Sequence, residues 1–263
     1  MAIIGIMIII RLLLFAISRI TLPDHASPAM GNLQNLQGLP LSIPFGLFIL
    51  TTFGALLAVI LMASSIGNEY NWRTIRIELI SSEGRLKFLV AKLISVAILI
   101  LIGMAIGLAT SFVMSLITNA IGGNSFDFSF VTGGYLWDQF LQFWRTFFIL
   151  LPFTLLGFLF SVIGRSAMPG IAVGIGILFL ESIITSFMRL AGGWIANIPD
   201  YLFTANVNAI NALNKLPAGF GMGLGGASSQ APSIPHAFIV LSVYIVIFIG
   251  VAFFLFHKRD VTG

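Results

Sequence analysis

Apolar residues fall in long, nearly unbroken runs along this chain, separated by short polar stretches at uneven intervals. Residues 45–66 carry no charge and follow Pro44, and residues 237–256 are equally free of charge. Runs of this length match a bilayer core about 30 Å thick only as helices, because an open strand would leave backbone groups unpaired in lipid. The pattern predicts six spans, at 2–22, 45–66, 88–118, 141–164, 168–188 and 237–256. The first is the weakest, since Arg11 and Arg19 both interrupt it. The third is long enough to need tilt or to protrude.

Composition agrees with this reading. The 263 residues are 58% hydrophobic and 8% charged, with a mean hydropathy of +1.06. Soluble domains carry roughly 25% charged residues, so this chain cannot wet a globular surface. That excludes a soluble enzyme, a nucleic-acid-binding domain and a disordered chain. Cysteine is absent, which removes disulfides, thiolate metal sites and cysteine nucleophiles. No cleaved signal peptide is expected, because a basic leading region is missing and Arg11 breaks the apolar run.

The net charge of +4 matters through its placement. Arg73, Arg76, Arg85, Lys87 and Lys92 lie between the second and third spans, Arg165 between the fourth and fifth, and Lys258 and Arg259 in the tail. Of the alternate connections, residues 23–43 and 119–140 hold no Lys or Arg and 190–235 only Lys215. Basic residues favour the cytoplasmic side, so both termini are expected inside, in the cytoplasmic (inner) cell membrane. The outer connection 189–235 has a pattern of its own. Leu202, Val207, Ile210 and Leu213 recur at helical spacing within Asp200–Leu216, which predicts a short amphipathic helix at the outer interface. Residues 219–235 are rich in Gly, Ser and Pro and read as a flexible return.

Catalytic signatures are missing. There is no P-loop, no H-E-x-x-H and no G-x-S-x-G, and His25, His236 and His257 all sit at span ends. The chain is expected not to be an enzyme, and no catalytic, cofactor or metal site is assigned. The informative stretch is Asn68–Lys92, read as a cytoplasmic helix over 68–85. Glu69 and Arg73 stand four apart, while Trp72, Ile75 and Leu79 share a face and Gly84 ends the pattern. Such a helix either lies in the headgroups, anchored by Tyr70 and Trp72 with its arginines on anionic lipid, or docks a cytoplasmic partner.

The run Glu69-Tyr70-x-Trp72-x-Thr74-x-Arg76, followed by Gly84-Arg85 and by Lys92-Leu93 at a span, resembles the permease subunits of type-2 ABC exporters. The resemblance implies an all-α membrane protein, one transmembrane domain over 1–263, with six spans and both termini cytoplasmic. It makes residues 68–85 a coupling helix seated in a separate P-loop ATPase subunit, through Glu69, Tyr70, Trp72, Arg73, Thr74, Arg76 and Arg85. ATP and Mg would then bind on the partner, and a second permease subunit, the same or similar, would complete the transporter. Permeases of that family carry a cytoplasmic helix ahead of the first span. Here the first span opens almost at Met1, so either the true start lies upstream or this member lacks that brace.

Away from the span ends, three ionisable residues are expected within the membrane: Arg11, Arg145 and Glu181. Charges in a bilayer are costly and tend to be paired or functional. Arg145 lies seven residues past Asp138, and Glu181 eight residues from Arg189 on an antiparallel neighbour. The two therefore fall at similar depth, which predicts either an ion pair or a polar lining that meets substrate. Arg11 is read as snorkelling to the interface or facing a dimer interior. Gly103-x-x-x-Gly107 and Gly170-x-x-x-Gly174 offer faces for close helix approach. The competing readings are a channel or secondary transporter, which would need broken polar spans, and a structural subunit of a larger energy-converting complex. Nothing in the sequence names the substrate.

Overall fold

A computed structural model of the protein describes residues 2–20, 38–39, 41–71, 85–122, 128–214 and 232–258. Among the described residues every regular element is helical. The α-helices are α1 (Ala2–Ile20), α2 (Ser42–Asn71), α3 (Arg85–Gly122), α4 (Gly133–Gly164), α5 (Ala167–Ala191), α6 (Phe203–Asn211) and α7 (Ile234–Lys258). A 3-10 segment, Gly193–Tyr201, precedes α6. Five helices, α2, α3, α4, α5 and α7, are long and apolar enough to cross a membrane.

Local chemistry explains where these helices begin. Pro44, Pro169 and Pro235 each fall in the first turn of α2, α5 and α7, where a missing N–H costs nothing because those amides have no intrahelical acceptor. Between α4 and α5 the chain reverses within Arg165 and Ser166. Arg165 takes a left-handed φ of 52°, and the Ser166 side chain caps α5 by accepting from Met168 N.

α2 is 30 residues long and α3 is 38. At about 1.5 Å per residue both exceed the thickness of a hydrocarbon core. Their sequences carry them past the apolar run: Asn68, Glu69 and Tyr70 form the last turn of α2. The helix expected over 68–85 therefore does not begin at Asn68, because α2 continues without a break to Asn71. Residues 72–84, with Trp72, Arg73, Thr74 and Arg76, lie outside the described residues.

The chain divides into two compact units, with the cuts falling inside α2, α3 and α4. The first contains α1, the start of α2 to Gly54, α3 from Leu101 and α4 to Thr146. Its core is Met7, Phe45, Leu47, Ile49 and Leu50, flanked by Ile10, Leu14, Leu108 and Phe143. Gly46 permits this packing. A Cβ there would collide with the Ser111 side chain, so only glycine lets α2 and α3 approach so closely.

The second unit holds the rest of α2, α3 and α4 together with α5, the 3-10 segment, α6 and α7. The buried stripe of α5 is Gly170, Gly174, Leu178, Glu181, Ser182 and Thr185, spaced as one helical face. Gly170 lies against Ser161, the Gly157 carbonyl and Ala63, and Gly174 against Val59. This small-residue pair is used inside the chain, against α2 and α4. At Gly103, by contrast, an added methyl would meet no atom within 4 Å.

The outer connection departs from its expected form. In place of one amphipathic helix over Asp200–Leu216, the 3-10 segment leads into the nine-residue α6. Phe203, Asn206, Val207, Ala209 and Ile210 of α6 are all buried. Phe203 stacks with Phe248 at 5.8 Å and also meets Tyr244 and Phe153. Phe203, Asn206, Val207 and Ile210, at i, i+3, i+4 and i+7, form one face that packs against helices of its own unit.

Candidate functional site

At the root of segment 72–84, the end of α2 is tied to the start of α3. Lys92 Nζ donates to Glu69 Oε1 at 2.8 Å, with both side chains mostly buried. Lys92 stands two turns into α3, level with the last turn of α2. The described ends of the motif, Glu69 and Tyr70 on α2 and Arg85 at the first residue of α3, thus share the base of one hairpin-like connection. Sequence reasoning placed Lys92 only as the start of a span. Its partnership with Glu69 links residues 23 apart, which no local periodicity reveals.

Arg11 does not snorkel. It is fully buried, at 0% exposure, within the first unit. Its Nη2 donates to the Ser42 carbonyl and to Ser111 Oγ, and Ser111 Oγ itself donates to the same carbonyl at 2.8 Å. The guanidinium lies 5.4 Å from the Phe45 ring centroid, close enough for cation–π attraction. Its partners come from α2 and α3 of its own chain, so a dimer interior is not what receives it. Nor can the stem reach water, because the first turn of α2 closes over it. That turn is deeply set. Ser111 lies eleven residues before the end of α3, and Gln142, nine residues into α4, donates to the Pro44 carbonyl at 3.3 Å. The start of α2 is therefore recessed roughly 13–16 Å from the ends of α3 and α4, at 1.5 Å per residue.

Glu181 is buried on α5 and accepts from the backbone N–H of Thr204 at 2.8 Å. Further donors are the Thr204 hydroxyl and the Phe203 amide. The cap position of α6 is Leu202, which offers no side-chain acceptor. Glu181 supplies from α5 what the local sequence lacks: a carboxylate on the orphan amides and positive dipole end of α6. The demand for a positive partner, which motivated the pairing with Arg145, is met here by main-chain donors. Arg145 itself is half-buried in the part of α4 that belongs to the first unit.

Around Asp200 the connection between α5 and α7 is cross-tied. Arg189 pairs with its carboxylate at 3.1 Å, and its carbonyl receives Asn206 Nδ2 at 2.9 Å and lies 3.0 Å from His236 Nε2. Tyr244 donates to the Tyr201 carbonyl at 2.9 Å. These bonds join α5, the 3-10 segment, α6 and α7 into one element. No group of three or more metal-ligating side chains occurs among the described residues.

Five long apolar helices define a multi-pass α-helical membrane protein. The chain belongs to the family described as Protein of unknown function (DUF2705), which matches residues 3–262. It is also similar to the uncharacterized protein YhcI of Bacillus subtilis (strain 168), at 23% identity over 221 residues. That match covers 81% of this chain and 66% of the relative, so the chain spans just under two thirds of the relative's length. No solved structure matches the chain.

Proposed function

We propose that this chain is the permease subunit of an exporter powered by a separate ATPase. In this reading α1 is a sixth span, since its 19 residues reach about 28 Å at 1.5 Å per residue. Both termini face the cytoplasm, and two such subunits, the same or similar, form the pathway. ATP and Mg bind on the partner, so this chain hydrolyses nothing itself. Its task is to turn closure of the ATPase into movement of the spans.

The observation that carries the reading is the Glu69–Lys92 bond. A segment that transmits force needs its two ends fixed to the elements it moves. Here the stretch 72–84, which carries Trp72, Arg73 and Arg76, leaves α2 and re-enters α3 through ends held by a partly buried ion pair. A push on that segment would reach both helices together, whereas untied ends would let it swing freely. The motif Glu69-Tyr70-x-Trp72-x-Thr74-x-Arg76 lies across this root, which supports docking over a purely lipid-facing role.

The test is ATP hydrolysis by the complex purified in mild detergent. Hydrolysis should be present with the wild-type chain and fall when Trp72 and Arg76 are both replaced by alanine. Equal hydrolysis in wild type and variant would reduce the segment to a membrane anchor.

A further inference from the structure

We propose that the first unit binds a small monatomic anion, chloride in kind, between Arg11 and the recessed start of α2. The proposal rests on a charge that the described structure leaves uncompensated. Arg11 is fully buried, yet its Nε and Nη1 have no hydrogen-bond partner among the described residues. The described groups it touches are a carbonyl, a hydroxyl and an aromatic ring. None of these is an anion. Guanidinium stays protonated at any physiological pH, so it cannot escape the cost by losing its proton.

The surroundings are rich in unused donors. Ser42 Oγ and Ser115 Oγ are also buried without partners among the described residues. Ser42 begins α2, and its carbonyl already holds Arg11. Ser115 stands one turn along α3 from Ser111, on the same face. Both hydroxyls can turn their protons toward an anion beside the guanidinium. Of the opening amides of α2, those of Ser42 and Phe45 already donate to the Gly38 and Leu41 carbonyls and Pro44 has none, so the helix start contributes through its dipole and the Ile43 amide alone. An Arg side chain aimed at this helix start, with two free N–H directions, makes it an anion site by construction.

Size selects the occupant. Arg11, Ser42, Ser111 and Ser115 are all at 0% exposure, so the site is sealed and has no portal for a phosphate that trails a lipid. A monatomic ion asks for the least room of any anion. A buried water would satisfy hydrogen bonds but would leave the positive charge in place.

The full chain, purified in detergent, should bind radiolabelled chloride saturably, at one ion per chain. Its thermal midpoint should stand about 5 °C higher in sodium chloride than in sodium gluconate at equal ionic strength, because gluconate is too large to enter. Arg11→Met should abolish both effects and should be at least as stable as wild type in gluconate. Should that variant fail to fold, Ser115→Ala keeps the charge and should weaken chloride binding several-fold. Absence of saturable chloride binding by the wild type, with equal midpoints in the two salts, would overturn the proposal. So would chloride binding that survives unchanged in Arg11→Met, or in Ser115→Ala where that variant is the one used.

Discussion

Lys92 and Glu69 meet at 2.8 Å across the bases of α3 and α2, with 23% and 18% of their side chains exposed. The pair sits where two long apolar helices meet the most basic connection of the chain. Its position gives it a mechanical meaning that its energy alone would not. Exposed ion pairs contribute about 0.2–1 kcal/mol, and partial burial places this one toward the upper part of that range.

Breaking the pair should therefore cost little stability and much coupling. Glu69→Gln and Lys92→Met are each expected to lower stability by about 1 kcal/mol or less. The double variant Glu69→Gln, Lys92→Met should lose less than the sum of the two single losses. Thermal unfolding of the four proteins measures the coupling energy. Strictly additive losses would mean that the two residues act independently.

Glu181 should matter as an acceptor more than as a charge. Glu181→Gln keeps an oxygen for the Thr204 amide and should cost under about 1 kcal/mol, while Glu181→Leu strands buried amides at the start of α6 and should cost about 1–3 kcal/mol. Thermal midpoints of the purified variants decide this. Equal and large losses in both would show that the negative charge itself is required.

The two glycine pairs should separate cleanly. Gly170→Ala drives a methyl into Ser161 and the Gly157 backbone, so α4 and α5 must part. Overpacking of this kind costs about 1–3 kcal/mol. Gly103→Ala meets open space and, by raising helix propensity, should be neutral or slightly stabilising. A Gly103→Ala variant that disrupts assembly while Gly170→Ala is silent would reverse the assignment of the packed face.

Five of the six expected spans were legible in the sequence because their apolar runs exceed anything a soluble core would use, and because Pro44 and Pro235 mark entrances to α2 and α7. The fate of the intramembrane charges was not. Arg11 meets Ser42 and Ser111, which are 31 and 100 residues away, and serines inside an apolar run carry no local mark of a cation. Glu181 found its donors at the start of α6, a helix whose onset the sequence misplaced. There, Leu202, Val207, Ile210 and Leu213 suggested a single apolar stripe, whereas Phe203 and Asn206 are buried as well. Phe203, Asn206, Val207 and Ile210 do share one face at i, i+3, i+4 and i+7, but a buried Asn inside that face carries no hydrophobic mark.

Orientation can be read chemically, since the chain has no native cysteine. Single cysteines at Ser125 and Ser228 should react with an impermeant reagent applied to intact cells, and one at Ser82 should not. Reaction at Ser82 would place the basic connection outside and remove the ground for partner docking.

Recruitment of an ATPase by segment 72–84 is tested most directly by co-purification. The chain, drawn from its native membrane in mild detergent, should bring a P-loop ATPase in near-equal amount. The Trp72→Ala, Arg76→Ala double variant should reach the membrane normally and come away without it. A wild-type chain that repeatedly purifies with no ATPase, or with pigment or redox proteins in its place, would contradict the account.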